Sequence, residues 1–181
     1  MRKQAKVLSL VILLGFLLLH SDAAFSQENQ HSASTTVWGS SGVGFGSVVA
    51  GTLDLSIQHK ALLFTVRSGG AVSPEMLWFG TGDIFSVKEH GVLVGLAKSD
   101  KNYLTSFSAG VSRLEMDRAE RIFFIPVSDR RQEKIVGFPM ELQAVWKATD
   151  FLGLGVSAFA NLNSEKSYGG VAVKLVIGKL R

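Results

Sequence analysis

The chain has 181 residues, no cysteine and a formal net charge of +4. Without cysteine, an exported fold of this length has no disulfides and is held by burial and backbone pairing alone. Glycine is frequent and proline rare, with 19 and 3 residues. Together with evenly spread Val, Leu and Phe and no helical heptads, this composition favours an all-β fold.

The chain begins with an apolar run from Val7 to Leu19. Three basic residues precede the run, namely Arg2, Lys3 and Lys6. The run is shorter than the roughly 20 residues that a membrane-spanning helix needs, and small residues follow it, which predicts a secretory signal peptide over residues 1–26. Cleavage after Ser26 is preferred to cleavage after Ala23. Removing the signal takes away three basic residues and one acidic residue, so the mature charge of +2 indicates no nucleic-acid partner.

Residues 27–36 are predicted to be a flexible leader, and residues 37–181 to form one domain of eight strands. The predicted strands cover residues 37–48, 52–58, 62–67, 88–98, 103–113, 133–147, 151–161 and 167–178. Long connections are expected at 68–87 and 114–132. Pro139 falls inside the predicted sixth strand, and since a closed barrel has no edge to accommodate proline, we expect a bulge there.

The clearest alternation predicts a hairpin between the second and third strands. If His59 and Lys60 form its two-residue loop, Leu55 faces Phe64 on an apolar surface. Asp54 and Arg67 then become diagonal neighbours on the opposite, polar surface. His59 and Lys60 are not the Gly or Asn that such a turn prefers.

Eight strands of this kind predict an antiparallel up-and-down β-barrel, but alternation alone does not tell which face meets water. Short connections alternate with long ones, which is typical of outer-membrane barrels. The predicted polar face carries Asp54, Arg67, Glu141, Gln143 and Lys174, which suit a narrow, salt-bridged lumen. The charged members of this set either neutralise one another in a packed barrel, which we favour, or line a conduction path or binding cup. The apolar face carries Tyr103 and Trp146 near the short turns, where an aromatic girdle is expected. The alternative is a secreted or periplasmic lipocalin-like barrel that binds an apolar small molecule.

Several segments resemble small outer-membrane β-barrel proteins of Bacteroidetes type. The resemblance lies in Gly137 to Leu142, Leu152 to Gly155, Asn161 to Ser167 and Gly178 to Arg181. In architecture the mature chain is similar to the eight-stranded OmpA and OmpX class. This resemblance implies periplasmic chain termini, outer-membrane lipid as surroundings, insertion by BAM-type machinery with periplasmic chaperones, and adhesive or envelope-protective loops.

Candidate chemical sites are few. His59 and His90 lack the spacing of metal ligands, so no metal site and no cofactor are expected. No G-x-S-x-G motif supplies a nucleophile, so no catalysis is expected. An outer-membrane lipid-modifying enzyme is the third hypothesis, after the outer-membrane barrel and the lipocalin-like barrel. Ser106, Ser108 and Ser157 are interpreted as small lumen fillers.

The connection at 114–132 is the candidate for contact with an extracellular partner. Its apolar centre and flanking arginines include Ile122, Phe123, Phe124, Arg130 and Arg131. Exposed phenylalanines of this kind favour a binding surface. The alternative is that the fifth and sixth predicted strands extend beyond the membrane, with Phe123 and Phe124 packed on the barrel rim, and the sequence does not separate the two. The sequence therefore predicts a non-enzymatic barrel of the cell outer membrane with a structural, adhesive or envelope-interaction role.

Overall fold

The computed structural model describes residues 35–74, 82–122, 125–126 and 131–180. The predicted signal peptide and most of the predicted leader lie outside these residues. The strands found are β1 (Thr35–Gly46), β2 (Val49–His59), β3 (Leu62–Val72), β4 (Gly82–Ser99), β5 (Tyr103–Ile122), β6 (Ile125–Pro126), β7 (Arg131–Lys147), β8 (Leu152–Asn163) and β9 (Tyr168–Gly178). The first strand thus begins at Thr35, two residues before the predicted start of the domain.

Eight long strands close into one antiparallel barrel. Each pairs with its neighbour in the chain, except that the two-residue β6 pairs only with the end of β5, so that β7 pairs with β5. Pairing of β1 with β9 closes the sheet. The predicted all-β, eight-stranded barrel is confirmed. We call the end with the β2–β3, β4–β5 and β7–β8 connections the turn end, and the opposite end the loop end.

The predicted register of the β2–β3 hairpin is wrong by two residues. The turn is Lys60 and Ala61, since His59 pairs with Leu62, and Asp54 lies directly opposite Arg67 rather than diagonal to it. Lys60 adopts a left-handed φ of 55°, which a non-glycine residue can adopt in a tight turn. A shift of two residues keeps every side chain on its predicted face, because strand side chains alternate with a period of two.

The predicted long connection at 68–87 is largely wrong, and at 114–132 the alternative in which the two strands extend is confirmed, because strands run through much of both segments. Strand β3 continues to Val72 and β4 starts at Gly82, while β5 reaches Ile122 and β7 starts at Arg131. The charged residues of 114–132 therefore belong mainly to a long β5–β7 hairpin. Charge ends a membrane-facing stretch, but it does not end a strand that continues into water.

Pro139 does not produce the expected bulge. Ala109 pairs with Met140 and Ser112 pairs with Gly137, so the register is one-for-one on both sides, and the two pairs between them are missing. On its other side Pro139 pairs with Asn161. The lost N–H of proline is thus accommodated by a local gap in the β5–β7 ladder, without the extra residue that defines a bulge.

A belt of exposed apolar side chains surrounds the barrel. On β4 the outward side chains between His90 and Lys98 are Val92, Val94 and Leu96, all exposed. Eight residues span about 27 Å along a strand at about 3.4 Å per residue, or about 21 Å at a tilt of about 40°. Tyr103 and Trp146 are paired near the turn end and are 59% and 51% exposed, as the predicted girdle requires. An apolar belt of this height fits lipid rather than water.

A charged residue placed in the belt should destabilise the inserted barrel. Leu55→Arg or Val156→Arg, at positions 54% and 61% exposed, should each cost about 2–4 kcal/mol near the bilayer midplane. Gln132→Arg, on the exposed loop-end part of β7, is the matched control and should cost little. Reversible unfolding in lipid vesicles measures all three. Equal costs at the three positions would show that the belt does not face lipid.

Candidate functional site

Four buried charges meet in the middle of the lumen. Arg67 donates from Nε to Asp54 Oδ1 at 2.8 Å, and its Nη2 donates to Asp54 and, through a short contact, to Glu141. Lys174 Nζ lies 2.7 Å from Asp54 Oδ2 and 2.6 Å from Glu141 Oε1. Each acid thus contacts both bases. We call these four residues the charge layer.

The four residues of the charge layer come from four different strands. Asp54 and Arg67 face each other across β2 and β3, while Glu141 comes from β7 and Lys174 from β9. Gly42 on β1 makes room for Lys174, because a Cβ at Gly42 would lie 2.7 Å from Lys174 Cγ. All four charged residues were proposed from the sequence, and the barrel brings them into one ion-pair network. Gln143 is buried in the lumen as well, but its Nε2 has no hydrogen-bond partner among the described residues.

A second polar cluster in the lumen was missed by the sequence reading. Glu89 accepts hydrogen bonds from Tyr168 Oη at 2.7 Å and from Asn161 Nδ2 at 3.0 Å. Asn161 Nδ2 also lies 3.1 Å from Ser112 Oγ. The alternation of β4 contains the missing signal, because Val92, Val94 and Leu96 on one face place Glu89 on the other.

Apolar layers lie on both sides of these polar clusters. At the turn end, the buried side chains are Trp38, Leu63, Ala97, Leu104, Val145, Val176 and Leu180. At the loop end, they are Val48, Ala50, Ala71, Phe85, Val87, Leu114, Met116 and Tyr168. Lys166 lies over the Phe85 ring at 4.1 Å from its centroid. The described lumen is therefore packed, with charge in the middle and apolar side chains towards each end.

The lumen has little room for a ligand. A cavity beside Arg67, Glu89 and Asn161 has a volume of about 10 Å³. That is near the minimum for one water molecule, whereas small-molecule pockets usually have about 300–1,000 Å³. This cavity does not favour the lipocalin-like alternative, which needs an interior open to an apolar molecule.

The other candidate residues lie outside this constellation. His59 Nδ1 contacts Thr35 Oγ1, and His90 Nδ1 contacts Ser68 Oγ, each at 3.1 Å. The described ranges contain no group of three or more metal-ligating side chains. Phe123, Phe124 and Arg130 of the candidate contact loop lie outside the described residues, and for Ile122 and Arg131 only the backbone is described.

Ser106, Ser108 and Ser157 are buried in the lumen, as their interpretation as fillers requires. Among the described residues, no helical segment has the length and the hydropathy of a membrane span.

The structure is a closed barrel with an apolar outer belt and a packed lumen that has charged side chains in its middle. This is the architecture of the small outer-membrane barrels. The chain is similar to Neisserial surface protein A, with a TM-score of 0.57, 9% identity and coverage of 81% of this chain and 99% of that one. A major outer membrane protein from Thermus thermophilus gives a TM-score of 0.54, 12% identity and coverage of 82% and 98%. The N-terminal β-barrel domain of Pseudomonas aeruginosa OprF gives 0.53, 8%, and 80% and 96%.

These likenesses confirm the predicted architecture. No protein-family model and no curated protein matches the chain. The resemblance to Bacteroidetes-type proteins therefore stays a prediction.

The charge layer should behave as a coupled unit. Arg67→Met and Asp54→Leu should each destabilise the folded barrel by about 3–5 kcal/mol, because each leaves an unmatched buried charge. The double variant should lose clearly less stability than the two single variants lose together. In the double variant the remaining charges, Lys174 and Glu141, still form a balanced pair at 2.6 Å. Unfolding in detergent, followed as a double-mutant cycle, measures the coupling.

A matched control for this cycle is the exposed pair Arg113 and Glu115, whose atoms are 3.5 Å apart. Arg113→Met and Glu115→Leu should couple by no more than about 1 kcal/mol. Strictly additive losses at Asp54 and Arg67 would mean that the two lumen charges do not stabilise each other.

Proposed function

We propose that the chain is an integral outer-membrane protein without catalytic activity, in which a sealed barrel anchors a protruding hairpin that serves a structural, adhesive or envelope-interaction role. The observation that supports this proposal most directly is the contrast between the packed lumen and the overlong β5–β7 hairpin. A packed lumen has no room for a molecule to be transported or converted. We therefore place the interactions with other molecules on the outer surfaces of the barrel.

The hairpin extends well past the apolar belt. Strand β5 continues for nine residues beyond Arg113 to Ile122, which is about 30 Å of strand at about 3.4 Å per residue. In one paired row, Lys88 lies opposite Glu115, and Glu115 lies opposite Lys134. Alternating charges on exposed side chains suit water rather than lipid. The hairpin therefore supplies a surface outside the membrane.

The buried polar groups do not support an enzyme. Asp54, Glu141 and Lys174 are 6% exposed or less and are bound to one another. A general base or nucleophile needs access to its substrate. The partners that follow from this proposal are outer-membrane lipid, BAM-type insertion machinery with periplasmic chaperones, and an extracellular partner that contacts the loop end.

Cell fractionation tests the membrane location. The mature chain should sediment with the outer membrane, resist extraction by salt and dissolve in detergent. Unheated samples should migrate differently from heated ones in gels, because the closed barrel retains its fold until it is boiled. A soluble protein whose migration does not depend on heating would contradict the proposal and favour the lipocalin-like alternative.

Replacement of residues 117–132 by a short turn tests the role of the hairpin. The shortened chain should still insert and keep its heat-dependent migration, since the belt and charge layer lie below the cut. Adhesion of cells that display it to protein-coated surfaces, and their clumping, should fall to the level of cells without the protein. A replacement of the β8–β9 turn, residues 164–167, serves as the control. Undiminished adhesion by the shortened chain would exclude the hairpin as the contact surface.

A further inference from the structure

A group of polar side chains lies on the outer wall where the apolar belt ends on β3, β4 and β5. Ser68 is paired with His90, and His90 is paired with Arg113. Lys88 lies two residues from His90 on the same face of β4. All four side chains are exposed. We call these four residues the rim cluster.

Lipid-facing residues border the rim cluster on three sides. In the same row of paired residues, Leu53 lies opposite Ser68 and Val136 lies opposite Arg113, and they are 63% and 61% exposed. The next row towards the turn end is Val66, Val92 and Val111, again exposed and apolar. The rim cluster thus adjoins the belt directly, at its loop-end edge.

We propose that the rim cluster binds the phosphate group of a membrane lipid whose acyl chains lie against the belt. This proposal rests on the membrane location proposed above and names a ligand for the wall of that barrel. Among protein side chains, arginine with its guanidinium group and lysine with its ammonium group bind phosphate most strongly. Arg113 provides the guanidinium group and Lys88 the ammonium group. The two residues lie on neighbouring strands, and Lys88 is two residues from His90, which pairs with Arg113.

The local hydrogen bonds leave the rim cluster able to accept an anion. Arg113 contacts Glu115 through one nitrogen at 3.5 Å and is 63% exposed, so other guanidinium donors remain available to a ligand. His90 Nδ1 lies 3.1 Å from Ser68 Oγ, so this contact uses one ring nitrogen and does not involve Nε2. Glu115 contributes one negative charge, but Lys88 and Lys134 lie opposite and on either side of it. The balance at this edge is positive.

The turn-end edge of the same strand provides a contrast. Lys98 is exposed on β4 at this edge, where it pairs with Thr105, and Lys101 is exposed in the turn that follows β4. Removing charge at this edge therefore makes a control for a general electrostatic effect.

The test is a titration of the detergent-folded mature chain by native mass spectrometry. Phosphatidic acid is compared with diacylglycerol that carries the same acyl chains, so only the phosphate differs. The variant Lys88→Gln/Arg113→Gln should bind phosphatidic acid about tenfold more weakly, because it loses the charge-assisted hydrogen bonds. The control Lys98→Gln/Lys101→Gln should bind as the wild type does, and an excess of inorganic phosphate should displace little lipid.

Three results would overturn the site while leaving the membrane location intact. They are equal affinity for phosphatidic acid and diacylglycerol, equal loss in the two double variants, and full displacement by inorganic phosphate, which would indicate a site for a soluble anion. Heat-dependent gel migration of every variant shows that each is folded. A wild-type chain that fails this migration test would instead overturn the membrane location, and the lipid site with it.

Discussion

Balance of charge inside the barrel is the constraint on which the rest of the structure depends. Asp54, Arg67, Glu141 and Lys174 are withdrawn from water, and such charges are tolerated only when each is matched and hydrogen-bonded. The match requires β2, β3, β7 and β9 to hold one register at once. A shift of one strand by two residues would keep its apolar face outside but would separate a charge from its partners. The charge layer thus selects a register that the apolar belt alone leaves open.

Closure of the sheet and the apolar side chains inside it also stabilise the fold. The chain has no cysteine, and the apolar belt gains nothing from burial against protein, because its side chains face outward. Pairing of β1 with β9 leaves no free edge along the belt, which is required wherever backbone groups lie in hydrocarbon. Inside, the buried apolar side chains at the turn end and the loop end exclude water from the charge layer. This exclusion strengthens the ion pairs and also makes any unmatched charge costly.

The sequence predicted the faces of the strands better than their lengths or pairings. Alternation assigned Asp54, Arg67, Glu141 and Lys174 to the lumen, because the side-chain period of two holds wherever a strand is regular. It placed the β2–β3 turn at His59 and Lys60 instead of at Lys60 and Ala61, since none of these residues is the Gly or Asn that such a turn prefers. It also placed the start of β4 too late and the end of β5 too early, because loss of apolar alternation marks the edge of the apolar belt rather than the end of the strand. The partners of Glu89 were missed because Asn161 and Tyr168 meet it only after the barrel closes.

The same physical rule separates the stable part of this molecule from the part that can interact. The charged side chains of the charge layer are paired with one another, and the cavity beside Arg67 has almost no room for a ligand. Side chains that face outward suit lipid along the apolar belt and water along the charged hairpin. At the boundary between the two, Lys88, His90 and Arg113 bring polar groups next to lipid-facing residues. Because the described interior is packed, the contacts proposed with molecules in the surroundings lie at that boundary and beyond it on β5 and β7.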